Sequence, residues 1–272
     1  MSEPLALDEL LLLADRATNL ADALHMLERA DRDIAVAILT VQTEAAEQLF
    51  LGLRHFASAA QRLHHNHRTL NETKTALLAV THQARMASEQ LGQAMVAHSL
   101  RAAPEDKDPD AQWEHRLLRA TAEPMHTARS LLALIPTTCT QAAAAFAATI
   151  PYSAAAADEV RARIKPGSLP ALQGAALRAA AAGHLCLYKI GPSTYFGNDG
   201  DNVQLTRRTT NTLHEKGFIQ YDDRFIHHNT WRIRLTPAGR AALLDDFAHP
   251  RIRTSATPSP AVTLPRQRGH RP

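Results

Sequence analysis

Apolar residues recur at steps of three and four along the N-terminal part of the chain, which is the spacing of amphipathic helices. One series runs from Leu5 to about Arg29, a longer one from Ile34 to Leu63, and a third from Leu77 to Met95. The two longer series contain no proline and one glycine each. The pattern predicts a helical bundle over residues 1–103.

A polar stretch, HHNHRTLN at residues 64–71, separates the second series from the third. Asn66 can take turn geometry, and Thr69 or Asn71 can cap the helix that follows. We therefore predict a long antiparallel helical hairpin whose arms are about 45 Å long, given the rise per residue of an α-helix. Two arrangements stay open: a three-helix bundle with the first helix, or a coiled-coil-like hairpin that self-associates in a homodimer.

The apolar period stops at residues 101–111, RAAPEDKDPDA, which hold two prolines and a run of charged residues. This composition predicts a linker over residues 104–112. Helical pattern resumes over residues 113–165. We expect it to be interrupted at Pro124 and to end at Pro136, because proline removes a backbone donor from a helix interior.

Two further helices are predicted in the same region. An Ala-rich helix covers roughly residues 138–149, and a short helix covers residues 153–164. The Ala-rich stretch 141–157 is interrupted by Pro151 and is too weakly apolar to predict a membrane span. The N-terminal part is therefore expected to be helical throughout.

The stretch KPGSLP at residues 165–170 marks the start of a different unit, which we assign to residues 166–248. Ser168 can cap a helix with Pro170 in its first turn, and Gly183 can end that helix. LCLYKI then predicts a strand, GPSTYFGNDGDN a turn region and VQL a short returning strand.

A second helix of this unit is predicted within LTRRTTNTLHEKGFIQYDD, residues 205–223. Thr206 can cap its start, and Gly217 can end it in the left-handed conformation. At helical spacing, one face should pack inward with Leu213, Thr206, Thr209 and Thr210. The opposite side carries Arg207, Arg208, Asn211, His214 and Glu215.

That polar face has the side chains that read base edges. Arginine can bridge the O6 and N7 acceptors of guanine, and asparagine can pair bidentately with adenine. A solvated surface helix has the same polar composition, so the face alone leaves both interpretations open.

The segment after this helix predicts a hairpin and a final helix. GFIQYDD is a strand, and WRIRL is a strand with strict alternation, which places Arg232 and Arg234 together on one side. We expect the outward edge of this hairpin to be basic. LTPAGRAALL predicts a helix capped by Thr236 with Pro237 in its first turn. Residues 249–272 hold five Pro, five Arg and no acidic residue, which predicts a disordered basic tail.

Residues 168–247 resemble winged helix-turn-helix domains, particularly those of MarR-like and PadR-like bacterial regulators. The resemblance lies in LHEKGFI, a recognition helix that ends in KG before an apolar pair, and in WRIRLTPAGRAAL, a wing strand that runs into the last helix. It implies a DNA-binding fold, with groove contacts from Arg207, Arg208, Asn211 and His214 and backbone or minor-groove contacts from the wing. The fold class is thus mainly α, with a C-terminal α+β winged-helix domain.

One segment departs from the pattern of these families. They place a second helix before the recognition helix, whereas residues 184–205 carry strand and turn chemistry without a helical period. We expect a β-hairpin in its place.

Charge is distributed unevenly along the chain. Residues 1–165 hold 16 Lys and Arg against 20 Asp and Glu, a net charge of −4, whereas residues 166–272 hold 14 against 7, a net charge of +7. A basic C-terminal part predicts an anionic partner, and duplex DNA is the one that fits the resemblance.

The expected function is that of a cytoplasmic, bacterial, DNA-binding transcription regulator that acts as a homodimer. Base discrimination would come from Arg208 and Asn211. Neutralisation of phosphates would come from a further basic set: Lys216, Arg224, His228, Arg232 and Arg234. The alternative is a protein-interaction scaffold whose helical hairpin binds a partner and whose winged helix contacts protein.

Other classes of function find little support in the sequence. It contains no GxSxG, GxxxxGK[ST] or GxGxxG motif in the required context, so we predict neither an enzyme nor a cofactor. His64, His65 and His67 cluster without other ligands at suitable spacing, so no metal site is predicted. Cys139 and Cys186 form no CxxC pair, and the N-terminus has no secretory pattern.

Overall fold

The structure is a computed structural model of the chain. The residues that it describes are 5–27, 32–63, 68–102, 111–150, 152–153, 169–190, 193–198, 206–227 and 230–249. The predicted turn at 64–67, most of the linker, the helix expected beyond Ser153 and the tail after His249 lie outside these residues.

The described N-terminal residues are almost entirely helical. Their helices are α1 Leu7–Leu27, α2 Arg32–Gln61, α3 Arg68–Ala102, α4 Ala111–Ala133 and α5 Ile135–Ala147. The first three agree with the three apolar series, because an unbroken period of this length leaves little choice of element. The predicted caps of α3 are wrong, since the helix already includes Arg68 and Thr69.

The long hairpin of α2 and α3 packs inside a larger bundle of the same chain. The helix α1 lies against α2, α4 and α5, while α3 also contacts α4 and α5. Buried residues along the hairpin include Leu49, Leu53, Leu77 and Leu91. The apolar stripes are therefore covered within one chain, and self-association through this hairpin stays a prediction.

Two prolines behave differently from the prediction. Pro124 lies inside α4, which continues through it, and the buried stripe that follows includes Ala128 and Leu132. The break predicted at Pro136 is present, since α4 ends at Ala133 and α5 begins at Ile135, but Pro136 itself occupies the first turn of α5, where no intrahelical donor is required. Pro124 is tolerated because the residues after it pack in the bundle. Pro136 is tolerated because it lies in the first turn of a helix.

The region Arg119–Ala147 is long and apolar enough to cross a membrane by length and composition alone. Half of its most apolar window is buried inside the protein. A core helix of a folded bundle passes the same test.

A short parallel pair of strands joins the two ends of the bundle. The strand β1, Leu5–Ala6, pairs with β2, Tyr152–Ser153. Ser153 therefore belongs to a strand, and the prediction of a helix starting at this residue is wrong.

The described residues of the C-terminal part form three helices and a four-stranded sheet. The elements are α6 Ala171–Ala181, β3 Leu185–Ile190, β4 Ser193–Asn198, α7 Arg207–Glu215, β5 Ile219–His227, β6 Thr230–Leu235 and α8 Pro237–Ala248. The sheet order is β4-β3-β6-β5, and neighbouring strands are antiparallel. The hairpin predicted after Gly183 is present, but its second strand is β4 and lies within the stretch predicted as a turn region.

Most helix ends of this part follow the predicted local rules. Gly183 and Gly217 have φ angles of 74° and 70° and stand just after α6 and α7. Behind each glycine the chain closes back on the helix: the His184 amide donates to Ala179 O, and the Phe218 amide donates to Leu213 O, both at 2.9 Å. The start of α6 differs, because Pro170 is the N-cap and Ser168 lies outside the described residues.

The start of α8 is tied to the end of α7. Thr236 caps α8 by accepting from the Gly239 amide at 3.0 Å, and its hydroxyl donates to Gly217 O at 2.6 Å. The Thr236 amide also donates to Phe218 O at 3.1 Å. A Cβ atom on Gly239 would lie 1.8 Å from that same carbonyl oxygen, so this close approach requires glycine.

We expect the substitution Gly239→Ala to lower the free energy of unfolding by about 3 kcal/mol, because the backbone of Phe218 cannot move without breaking the bond to Thr236. Gly92→Ala is the matched control. Nothing lies within 4 Å of its added methyl group, so the gain in helix propensity should stabilise α3 by about 0.5 kcal/mol or more. Chemical denaturation of the two variants measures both changes in the free energy of unfolding. Equal changes would contradict the close approach of Gly239 to Phe218.

Candidate nucleic-acid interface

The helix α7 is seated by a small inward face. Thr206 caps it by accepting from the Thr209 amide at 3.3 Å. Thr209, Thr210 and Leu213 are buried, as predicted, whereas Thr206 is exposed and acts through its cap. The inward side packs against α6 and β5.

The outward side of α7 carries four of the nine residues that the sequence predicts for DNA contact. Arg207, Arg208, Asn211 and His214 are all exposed. Glu215 is exposed beside them. The structure therefore gathers two guanidinium groups, one amide and one imidazole on one short helical surface, which we call the α7 surface.

An aromatic ring packs against the imidazole of His214. Its imidazole stacks on Tyr221 of β5, with 4.7 Å between ring centroids and 21° between ring planes. Burial raises the pKa of Tyr221, and the positive charge of Arg207 acts in the opposite direction. Tyr221 therefore lies close to two members of the α7 surface.

Lys216 lies at the C-terminal end of α7 and is half-buried. Its ammonium group donates to Gln173 Oε1 of α6 at 3.1 Å. In this position Lys216 joins α7 to α6, which is a role that the sequence prediction did not include.

Arg232 is buried by the N-terminal bundle. Its guanidinium donates twice to the carboxylate of Asp22 in α1, at 2.6 and 3.2 Å. It also donates to Gly183 O and lies 3.0 Å from Cys186 Sγ. Only 11% of its side chain is exposed.

Arg234 is surrounded by three carboxylates. It lies 2.7 Å from Asp15, 2.7 Å from Asp222 and 3.7 Å from Asp22. Its side chain is 7% exposed, and so is that of Asp222. The expectation that Arg232 and Arg234 form an outward basic edge is therefore wrong.

The physical reason is that helices pack against both faces of the sheet. The alternation along β6 was predicted correctly, since Ile233 is buried on one face and both arginines share the other. The arginine face is covered by α1, which brings aspartates at intervals of seven residues, Asp8, Asp15 and Asp22. This spacing lies in the sequence and is the signal that could have revealed the contact.

Arg240 of α8 extends the same network. Its guanidinium donates to Leu235 O at 3.3 Å. Burial lowers the pKa of Arg240, and the charges of Asp8 and Asp15 act in the opposite direction. The acidic stripe of α1 thus faces cations from both β6 and α8, and we call this set the α1–sheet ion network.

The register of the sheet places the α7 surface away from this network. Tyr221 is paired with Ile233, so the two side chains point to the same face of the sheet. Tyr221 contacts His214, which puts α7 on that face. Arg232 and Arg234 point to the opposite face, where α1 lies. The helices α1 and α7 therefore lie against opposite faces of the sheet.

No family model, curated protein or solved structure matches this chain. The function is therefore argued from the chain's own residues.

Two predicted contact residues are not placed. Arg224 belongs to β5, but its side chain is not among those that the structure describes. His228 lies outside the described residues. The histidines at 64, 65 and 67 do so as well. Among the described residues no group of three or more His, Cys, Asp or Glu could hold a metal ion.

Cys139 is unsuited to nucleophilic chemistry. It is fully buried, and burial raises the pKa of its thiol to about 12. The thiol therefore stays protonated at neutral pH.

We expect Arg234→Met to lower the free energy of unfolding by about 3–5 kcal/mol, because it leaves the buried carboxylate of Asp222 without its cation. The control is Arg85→Met in α3, whose ion pair with Glu89 is solvent-exposed and contributes about 0.5 kcal/mol or less. Urea denaturation of both variants makes the comparison. Equal losses would mean that the network is open to water.

Proposed function

We propose that this protein binds duplex DNA through the α7 surface and acts as a bacterial transcription regulator. The observation that carries the proposal is the exposure of Arg207, Arg208, Asn211 and His214 on one short helix, on the face of the sheet opposite α1. Guanidinium and amide groups are those that pair with guanine and adenine in the major groove.

The order of elements supports the same proposal. A helix, a strand, the helix α7 and the β5–β6 hairpin follow one another, with β3 beside β6 in the sheet. This order resembles that of the winged-helix domains named above, with the strand β4 in the place where those families have a second helix. The expected presentation of α7 is therefore that of a recognition helix.

The ion network changes the expected energetics of binding. Arg232 and Arg234 neutralise aspartates inside the protein, so they add no phosphate contacts. Among the described residues, affinity from one copy would come mainly from Arg207 and Arg208, and few phosphate contacts give modest binding. A homodimer that presents two α7 helices to two half-sites would compensate, and we propose this state for the DNA-bound protein.

A protein-interaction scaffold is the second candidate function. The observation that favours it is the presence of apolar side chains at the surface of the α2–α3 hairpin, where Val41, Leu78 and Val96 are at least half exposed. An interface of this kind should respond weakly to salt, whereas DNA binding should weaken steeply as salt rises. The salt response therefore separates the two functions.

We expect the full chain to bind random-sequence duplex DNA at low salt, and the double variant Arg207→Ala/Arg208→Ala to weaken it. Each phosphate contact contributes about 0.9 to the slope of log affinity against log salt, so the double variant should flatten the slope by as much as about 2. Fluorescence anisotropy titrations at several salt concentrations measure both quantities.

The matched control is Arg68→Ala/Arg85→Ala, which removes the same charge from exposed positions on the bundle. It should leave the slope unchanged. Absence of binding by the unmodified chain at low salt would overturn the DNA proposal, and equal slopes for the two double variants would remove α7 from the interface.

A further inference from the structure

Two consecutive residues of β5 connect the opposite faces of the sheet. Tyr221 stacks on His214, which belongs to the α7 surface. Asp222 points the other way and accepts from Arg234 Nε at 2.7 Å. Because neighbouring residues of a strand point to opposite faces, one short piece of backbone carries both contacts.

The backbone at this place is irregular. Tyr221 is paired with Ile233 and Phe225 with Trp231, so four steps along β5 correspond to two along β6. Such a bulge interrupts the regular pairing of the two strands. Side-chain contacts therefore contribute to the position of the strand at this point.

The ion network supplies that contact. Asp222 and Arg234 are both 7% exposed, so their pairing is shielded from water. Arg234 is in turn held by Asp15 of α1 at 2.7 Å. A series of contacts thus runs from the first helix of the bundle to the strand that lies beneath α7.

We infer that Asp222, anchored on Arg234, is a positioning residue: it fixes the bulge so that Tyr221 presents its ring to His214 and sets the orientation of that imidazole on the α7 surface. The N-terminal bundle thereby influences the helix that we propose reads DNA. The consequence for binding rests on the proposed function, whereas the orientation of His214 does not.

The orientation can be measured directly by NMR of the full chain. A stacked imidazole has ring protons displaced upfield by the ring current of its neighbour. The chain has 15 histidines, so the His214 signal of histidine-labelled protein is assigned by its disappearance in His214→Gln. Tyr221→Leu should abolish the upfield displacement, and Tyr221→Phe, which keeps the ring, should preserve it.

The decisive variant is Asp222→Asn, which keeps the size of the side chain and removes its charge. We expect the upfield displacement of His214 to be reduced or lost. The matched control is Asp246→Asn, which removes the charge of a carboxylate that pairs with Arg178 at 2.8 Å elsewhere in this unit, and it should leave His214 unchanged. If Asp222→Asn fails to fold, Asp15→Asn replaces it, because that carboxylate is 32% exposed and its loss costs less.

An unchanged His214 signal in a folded Asp222→Asn protein, or in Asp15→Asn where that variant stands in, would overturn the inference. An unchanged signal in Tyr221→Leu would do the same. A second measurement separates this failure from that of the proposed function. In DNA titrations, Asp222→Asn and Tyr221→Leu should weaken binding by about threefold to tenfold, the value of one hydrogen bond. Absence of DNA binding by the unmodified chain would overturn the proposed function and leave the NMR result to decide the positioning.

Discussion

The contact between the acidic stripe of α1 and the arginines of the sheet is the interaction on which the arrangement of this protein depends. A buried guanidinium is tolerated only when carboxylates or other acceptors surround it. Arg232 and Arg234 can therefore be covered because Asp15 and Asp22 arrive from the other end of the chain. The first helix completes the C-terminal unit, and the two parts of the chain share one continuous apolar core.

This contact also decides how the charge of the C-terminal part can be used. The net charges of −4 and +7 suggest a basic module attached to an acidic body, but part of each charge is neutralised against the other inside the molecule. What stays outside on the described residues includes Arg207 and Arg208, which are concentrated on α7. Among the described residues, electrostatic attraction of an anionic partner would then be directed at α7 and not at Arg232 and Arg234.

The sequence predicted the features that local chemistry controls. The three long apolar series, the caps at Thr206 and Thr236 and the glycines that follow α6 and α7 depend on neighbours within a few residues. The inward and outward faces of α7 follow from helical period alone, so most of the α7 surface was predictable. The errors lie where distant segments decide. Pro124 stays helical because of packing, and alternation along β6 shows that two arginines share a face without showing what covers that face.

The ion network is better understood as a specification of geometry than as a source of stability. Replacing a buried ion pair by apolar residues of similar size is often neutral or stabilising, so the network gains little over a hydrophobic contact. The network specifies the geometry because other positions of α1 on the sheet would cost free energy. Sliding α1 by one turn, about 5.4 Å, would leave Asp15 and Asp22 opposite the wrong groups and bury Arg234 with Asp222 but without its partners from α1. An apolar interface would tolerate such a shift far better, because apolar contact is not directional. Charge therefore holds the sheet in one position on α1. Because α7 packs on the opposite face of that sheet, it also has a single orientation.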